Sequence, residues 1–167
     1  SLRLAPWSRL ERRLEFRVVS PDHWEAEHPR LYTLSARLSS PDGINEVVSR
    51  RVGFRQIEIR GTELLINGVP VKLRGANHYD SHPLMGRAVT PELTRQDLEM
   101  MKEANVDAIR TPTFPAVPEL YDYADEMGFY IEDESPFCWV DVSADLRNAL
   151  TFVQRTAEMI ERDRSHP

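Results

Sequence analysis

The sequence holds one cysteine, Cys138, which excludes an internal disulfide framework and a multi-cysteine zinc site. It has no glycine-rich G-x-G-x-x-G or Walker loop after any strand-like segment, which counts against nucleotide binding. Nor does any apolar run approach the roughly 18 residues that span a bilayer. With no such run, no membrane partner is expected; the opening SLRLAPWSRLERR carries neither the apolar core nor the cleavage site of a secretory signal and does not read as one. Basic charge is in deficit. With a formal net charge of -6 and a pI near 5.4, the chain lacks the basic face that neutralises phosphates, and nucleic acid is not expected as a partner. The lone thiol fits a reducing, cytoplasmic compartment. What is present is globular material. Hydrophobic residues make up 41% and charged residues 29% of 167, enough for one domain or one small domain plus part of another.

The pattern changes near residue 53. Before it, LEFRVVS, LYTLSARLSS and INEVVSRRV alternate with a period near two, separated by turn formers that include Asp42-Gly43. They read as antiparallel strands, too few for a complete β-sandwich. After it, strands and helices alternate. GTELLINGVPVKLRG gives a hairpin through Asn67-Gly68 and then a strand in which Val71 and Leu73 alternate with Lys72 and Arg74. TPELTRQDLEMMKEAN is a helix that Thr90 caps and Pro91 opens, with Leu98 and Met101 on one face. VDAIR is the next strand. VPELYDYADEMG is the next helix, with Val117, Leu120, Tyr121, Ala124 and Met127 on one stripe and Gly128 as its stop. FYIEDE is a third strand, and Leu146, Leu150, Val153, Ala157 and Ile160 mark a long final helix. This order predicts βα units on a parallel sheet with right-handed crossovers, in a doubly wound sheet or a (β/α)8 barrel.

Parallel α/β folds carry their reactive groups beyond the carboxyl ends of the strands. Here those ends read RGANHYDSH, AIRTPTFP and IEDESPFCW, and all three should deliver polar and aromatic groups to one face. His78, Asp80 and His82 offer a His-x3-His spacing for a metal, but on a loop beside Pro83, where polar packing is the stronger reading. Arg74 needs a carboxylate if it points into a barrel. Glu132, Asp133 and Glu134 offer an acid/base pair or, as the stronger reading, partners for Arg74 and Arg110. Trp139 either stacks on a sugar ring or fills the barrel mouth. Cys138 has no paired base nearby in sequence that would make it a nucleophile.

Together these stretches resemble glycoside hydrolase family 2, the family of β-galactosidases, β-glucuronidases and β-mannosidases. WEAEHPRLYTL resembles the end of the family's immunoglobulin-like domain, and VGFRQIEI its crossing into the barrel. LLINGVPVKLRGANHYDSHPLMGRAV, DLEMMKEANVDAIRT, PELYDYADEMGFYIEDE and RDRSHP follow the family's motifs in order and spacing. The resemblance implies the last strands of an immunoglobulin-like β-sandwich over residues 1–52. It implies the first three βα units of a (β/α)8 TIM barrel over 53–167.

Family members hydrolyse β-glycosides with retention, using two glutamates as acid/base and nucleophile about 5–5.5 Å apart. The resemblance puts both glutamates beyond Pro167, so no catalytic residue and no metal ligand is expected in this chain. The expected substrate-contacting residues are Arg74, Asn77, His78, Asp80, Arg110, Asp133, Glu134 and Trp139. Three departures bear on specificity: Thr113 and Tyr79 stand where galactosidases have sugar-contacting histidines, and Cys138 and Val140 stand where some bind magnesium. The expectation is a β-glycosidase fragment that requires no cofactor, acts on carbohydrate as part of its parent, and is inactive alone. Such a piece should self-associate or depend on the remainder of the parent chain. A non-catalytic carbohydrate-binding relative and a purely structural fragment are the rival readings.

Overall fold

Tyr32–Ser39 (β1) and Asn45–Val52 (β2) pair antiparallel, in register from Tyr32 opposite Val52 to Ser39 opposite Asn45. The computed structural model describes residues 5–40, 42–43, 45–139 and 146–167, and the side chains of all of these except 146–148. The β1–β2 turn uses Gly43 at φ +85°, its N–H donating to the Ser40 carbonyl at 3.1 Å. Both strands lie open to solvent: Leu34 and Leu38, on one side of β1, are 50% and 58% exposed. The LEFRVVS stretch is not a strand. No ladder partner lies beside it among the described residues, and an extended segment without one gains no backbone hydrogen bonds.

A second antiparallel sheet follows, from Ile57–Arg60 (β3), Glu63–Ile66 (β4) and Val69–Pro70 (β5). Asn67 and Gly68 take φ of +52° and +80°, the left-handed pair that a tight hairpin turn requires. The strand expected at 71–74 is displaced. Val71 N–H donates to the Leu64 carbonyl and so continues the antiparallel sheet. Only Gly75–Asn77 (β6) joins the parallel one. Leu73 is accordingly 47% exposed on the link between them.

The parallel sheet has the order β6, Ala108–Thr111 (β7) and Tyr130–Asp133 (β8). Helices Pro91–Glu103 (α1) and Pro118–Met127 (α2) form the crossovers, and Leu146–Asp163 (α3) follows β8. Thr90 caps α1, its Oγ1 accepting from Leu93 N–H at 3.4 Å, with Pro91 in the first turn. Leu98 of α1, Ile109 of β7, Leu120, Tyr121 and Ala124 of α2, and Phe129 form the core, each 2% exposed or less. Full burial of an aliphatic or aromatic side chain contributes about 1.5–3 kcal/mol, so this cluster is the main source of cohesion. The α3 stripe turns outward. Leu150, Val153 and Ile160 are 73%, 69% and 52% exposed, while Phe152, Thr156 and Met159 are half-buried.

Trp24 fixes the earlier segment to this layer. It is fully buried, donates from Nε1 to the Asp125 carbonyl at 2.8 Å, and meets the Tyr130 ring edge-on at 5.7 Å. Lys102 Nζ donates to the carbonyls of Ala26 and Gly128 at 3.0 and 2.8 Å. Tyr130 is the first residue of β8, so these contacts occupy the amino ends of the parallel strands and leave the carboxyl ends uncovered.

Candidate functional site

The register of the parallel sheet sets Asn77, Arg110 and Glu132 in one row across its three strands. They line a cleft of about 390 Å³ floored by Gly75, Ala108 and Ile109. Arg110 organises the row. It forms an ion pair with Glu134, reaches Glu132 at 3.5 Å and donates to Asn77 Oδ1 at 3.5 Å. The second oxygen of Glu134 accepts from Thr113 N–H at 2.6 Å, with Thr113 held at φ +74°. Arg110 remains 43% exposed on its side chain, so it is held in place and still open to a ligand.

Other expected contact residues stand elsewhere. Side chains alternate along a strand, so Asp133 points away from Glu132 and Glu134. It lies between sheet and helices, accepting from Thr111 Oγ1 and Tyr121 Oη, each at 2.7 Å. Burial raises its carboxyl above the usual range against those two hydrogen bonds, with Asp163 adding in the same direction. Burial likewise pushes the Tyr121 phenol up, reinforced by its bond to Asp133. Asp133 is therefore a packing group behind the cleft.

Arg74 lies at the amino end of β6, with its side chain 68% exposed. Its partner is Asp107 (backbone N–H to Oδ1 at 2.6 Å, Nε to Oδ2 at 3.4 Å), not a carboxylate of the third strand. His78 and Asp80 turn inward. The His78 N–H continues the ladder to the Arg110 carbonyl, while its ring, only 5% exposed, sits between Asp97 at 3.1 Å and Asp80 at 3.9 Å. Asp80 Oδ2 accepts from the N–H of Val117, the residue that opens α2, at 2.9 Å, and so ties the loop to the start of that helix. His82 instead pairs its backbone with Gly86, so the His-x3-His spacing gathers no ligand set.

Trp139, 98% exposed at φ +62°, borders an outer groove with Tyr79, Arg87, Thr113 and Phe114. The reading of Val140 falls outside the described residues. Arg87, Phe114 and Glu132 were not among the expected contacts. Glu132 was legible by parity, since it must face the same way as Glu134. Among the described residues Asp122, Asp125 and His166 come near enough to share a cation, but His166 Nδ1 already pairs with Asp125 at 2.6 Å behind the sheet. That bond is the main cause raising the His166 pKa, and burial raises that of Asp125.

Parallel strands joined by helices, with polar side chains gathered at the carboxyl tips, define the class: an α/β domain with a candidate ligand site at one end of its parallel sheet. Residues 57–167 match the model described as glycosyl hydrolases family 2, TIM barrel domain, and residues 3–55 match that of glycosyl hydrolases family 2. The chain belongs to glycosyl hydrolase family 2. It is 37% identical over 126 residues to a β-galactosidase of Kluyveromyces lactis, covering 75% of this chain and 12% of that protein. A β-galactosidase of Vibrio cholerae is 36% identical over 157 residues, covering 90% and 15% respectively. Among solved structures, a β-glucuronidase from Ruminococcus gnavus in complex with uronic deoxynojirimycin superposes with a TM-score of 0.81 at 31% identity, over 90% of this chain and 26% of that one. The chain thus spans a small part of each relative.

Proposed function

We propose that the chain is the substrate-side wall of a retaining β-glycosidase that hydrolyses O-glycosidic bonds in carbohydrates. Its two catalytic glutamates then lie in the rest of the protein. The observation that carries this reading is the gathering of Asn77, Glu132 and Glu134 around the Arg110 guanidinium at the carboxyl ends of the parallel strands. Arginine and asparagine there offer donors to sugar hydroxyls, and the paired glutamates fix the guanidinium in direction. In this reading β6, β7 and β8 are the first three strands of the (β/α)8 barrel, and residues 53–167 are its amino-terminal part. Residues 1–52 complete a β-sandwich, a division supported by the uncovered β1–β2 face.

A panel of nitrophenyl β-glycosides tests it. The full-length protein is expected to hydrolyse at least one with retention at the anomeric carbon, and the 167-residue chain none. Hydrolysis by the isolated chain would move catalysis back into it.

A further inference from the structure

Asp133 lies behind the sheet face that carries Arg110, and one of its oxygens serves two hydroxyls. Thr111 Oγ1 and Tyr121 Oη both donate to Oδ1, each at 2.7 Å. A hydroxyl has a single proton, so each hydroxyl oxygen is then left to accept. The Thr111 oxygen accepts from Glu134 N–H at 3.4 Å, and the Tyr121 oxygen accepts from Ala116 N–H at 3.0 Å. One carboxyl group thereby sets the direction of backbone donors on two different segments. Thr111 and Tyr121 are 1% and 2% exposed, so water does not compete for these bonds.

Both segments bear on Arg110. Glu134 pairs with its guanidinium through one carboxylate oxygen, and the other oxygen accepts from Thr113 N–H at 2.6 Å. Thr113 lies in the same loop, between β7 and α2, that Ala116 anchors to Tyr121. A threonine does not favour φ of +74°, so the loop depends on such ties. The two routes from Asp133 therefore converge on Glu134, one at its backbone and one, through the loop, at its side chain.

We propose that Asp133 is a positioning residue for the reaction: through Thr111 and Tyr121 it holds Glu134 where Glu134 aims the Arg110 guanidinium at the substrate. The inference rests on the glycosidase reading. It gives Asp133, which does not line the cleft, a part in turnover that packing alone does not.

The test is a double-substitution cycle on the full-length protein, with a glycoside that the panel identifies. Thr111→Val keeps the shape and removes the hydroxyl, and it should lower kcat/KM about tenfold, as a small misplacement of a binding group does. Thr111→Ser should restore most of that loss. Asp133→Asn keeps an oxygen that can accept both hydroxyls and turns its new N–H groups toward the cavity that Asp163 also lines, so it should retain most of the activity. A collapse of turnover in Asp133→Asn would make the carboxylate itself the acting group and overturn the inference. Combined with Arg110→Ala, which alone should cost about 100-fold, Thr111→Val should add no further loss, because it acts through the same guanidinium. A merely structural role would multiply the two losses to about 1000-fold. That product, or an unchanged kcat/KM in Thr111→Val, overturns the inference alone. Where Thr111→Val does not fold, Tyr121→Phe enters the same cycle with the same two outcomes. Failure of the unsubstituted protein to hydrolyse any glycoside overturns the glycosidase reading and the inference with it.

Discussion

Arg110 is the residue on which the cleft turns. Its contacts to Glu134, Glu132 and Asn77 come from both neighbouring strands, so one guanidinium ties the carboxyl tips of β6, β7 and β8 together. Exposed ion pairs contribute about 0–1 kcal/mol, and with its side chain 43% exposed Arg110 should add little to stability. Its value lies in direction, since donors held in a fixed place act on the reaction far more than on the fold. Arg110→Ala in the full-length protein should therefore cost about 100-fold in kcat/KM with little change in melting temperature. The same substitution lowering the melting temperature steeply while sparing turnover would make Arg110 a scaffold residue. His78 illustrates the opposite allocation. Its ring is enclosed by Asp97 of α1 and by Asp80, which reaches the start of α2, so the loop after β6 is fixed to both helices.

At the scale of elements, Gly128 marks where α2 must stop. It sits at φ +79°, and a Cβ there would lie 2.1 Å from the Ala26 carbonyl oxygen. That contact cannot relax without parting the segment that Trp24 and Lys102 fasten to α2. Gly128→Ala should cost more than the roughly 1 kcal/mol of a left-handed alanine, about 3 kcal/mol or loss of folding, as read by denaturant unfolding. A loss under about 0.5 kcal/mol would show that the docking is loose. Such stops were legible in the sequence because they depend on local chemistry: Thr90-Pro91 opening α1, Asn67-Gly68 closing a hairpin, Gly128 ending α2. The gathering of Arg110 and Glu134 was legible too, since parallel topology sends successive strand ends to one side. What local pattern could not supply was register and partnership. Asp133 and Glu134 exchange roles with a shift of one residue. The true partner of Arg74 is a carboxylate just before the neighbouring strand, and His78 finds Asp97 on a helix 19 residues further along. LEFRVVS alternates well enough for a strand, but nothing among the described residues pairs with it.

For the molecule as a whole, the uncovered surfaces are arranged rather than scattered. Among the described residues β8 pairs only with β7, leaving one edge of the parallel sheet with free backbone donors and acceptors. Beside it, α3 turns Leu150, Val153 and Ile160 to solvent, and a shallow apolar groove runs between Phe137, Phe152 and Val153. The β1–β2 hairpin likewise exposes Leu34, Leu38, Val47 and Val48. The α3 sequence is therefore amphipathic for a neighbour other than the one it already touches, which is why its apolar stripe was readable while its direction was not. An open strand edge flanked by apolar helix surface favours association, either with the remainder of a longer protein or with copies of itself. The 167-residue chain alone should sediment as dimers and larger species at micromolar concentration. Charge placed on the α3 stripe, as in Val153→Lys with Ile160→Glu, should shift it toward monomer. A stable monomer of the unsubstituted chain in analytical ultracentrifugation would show that edge and stripe are covered from within, by the chain's own segments.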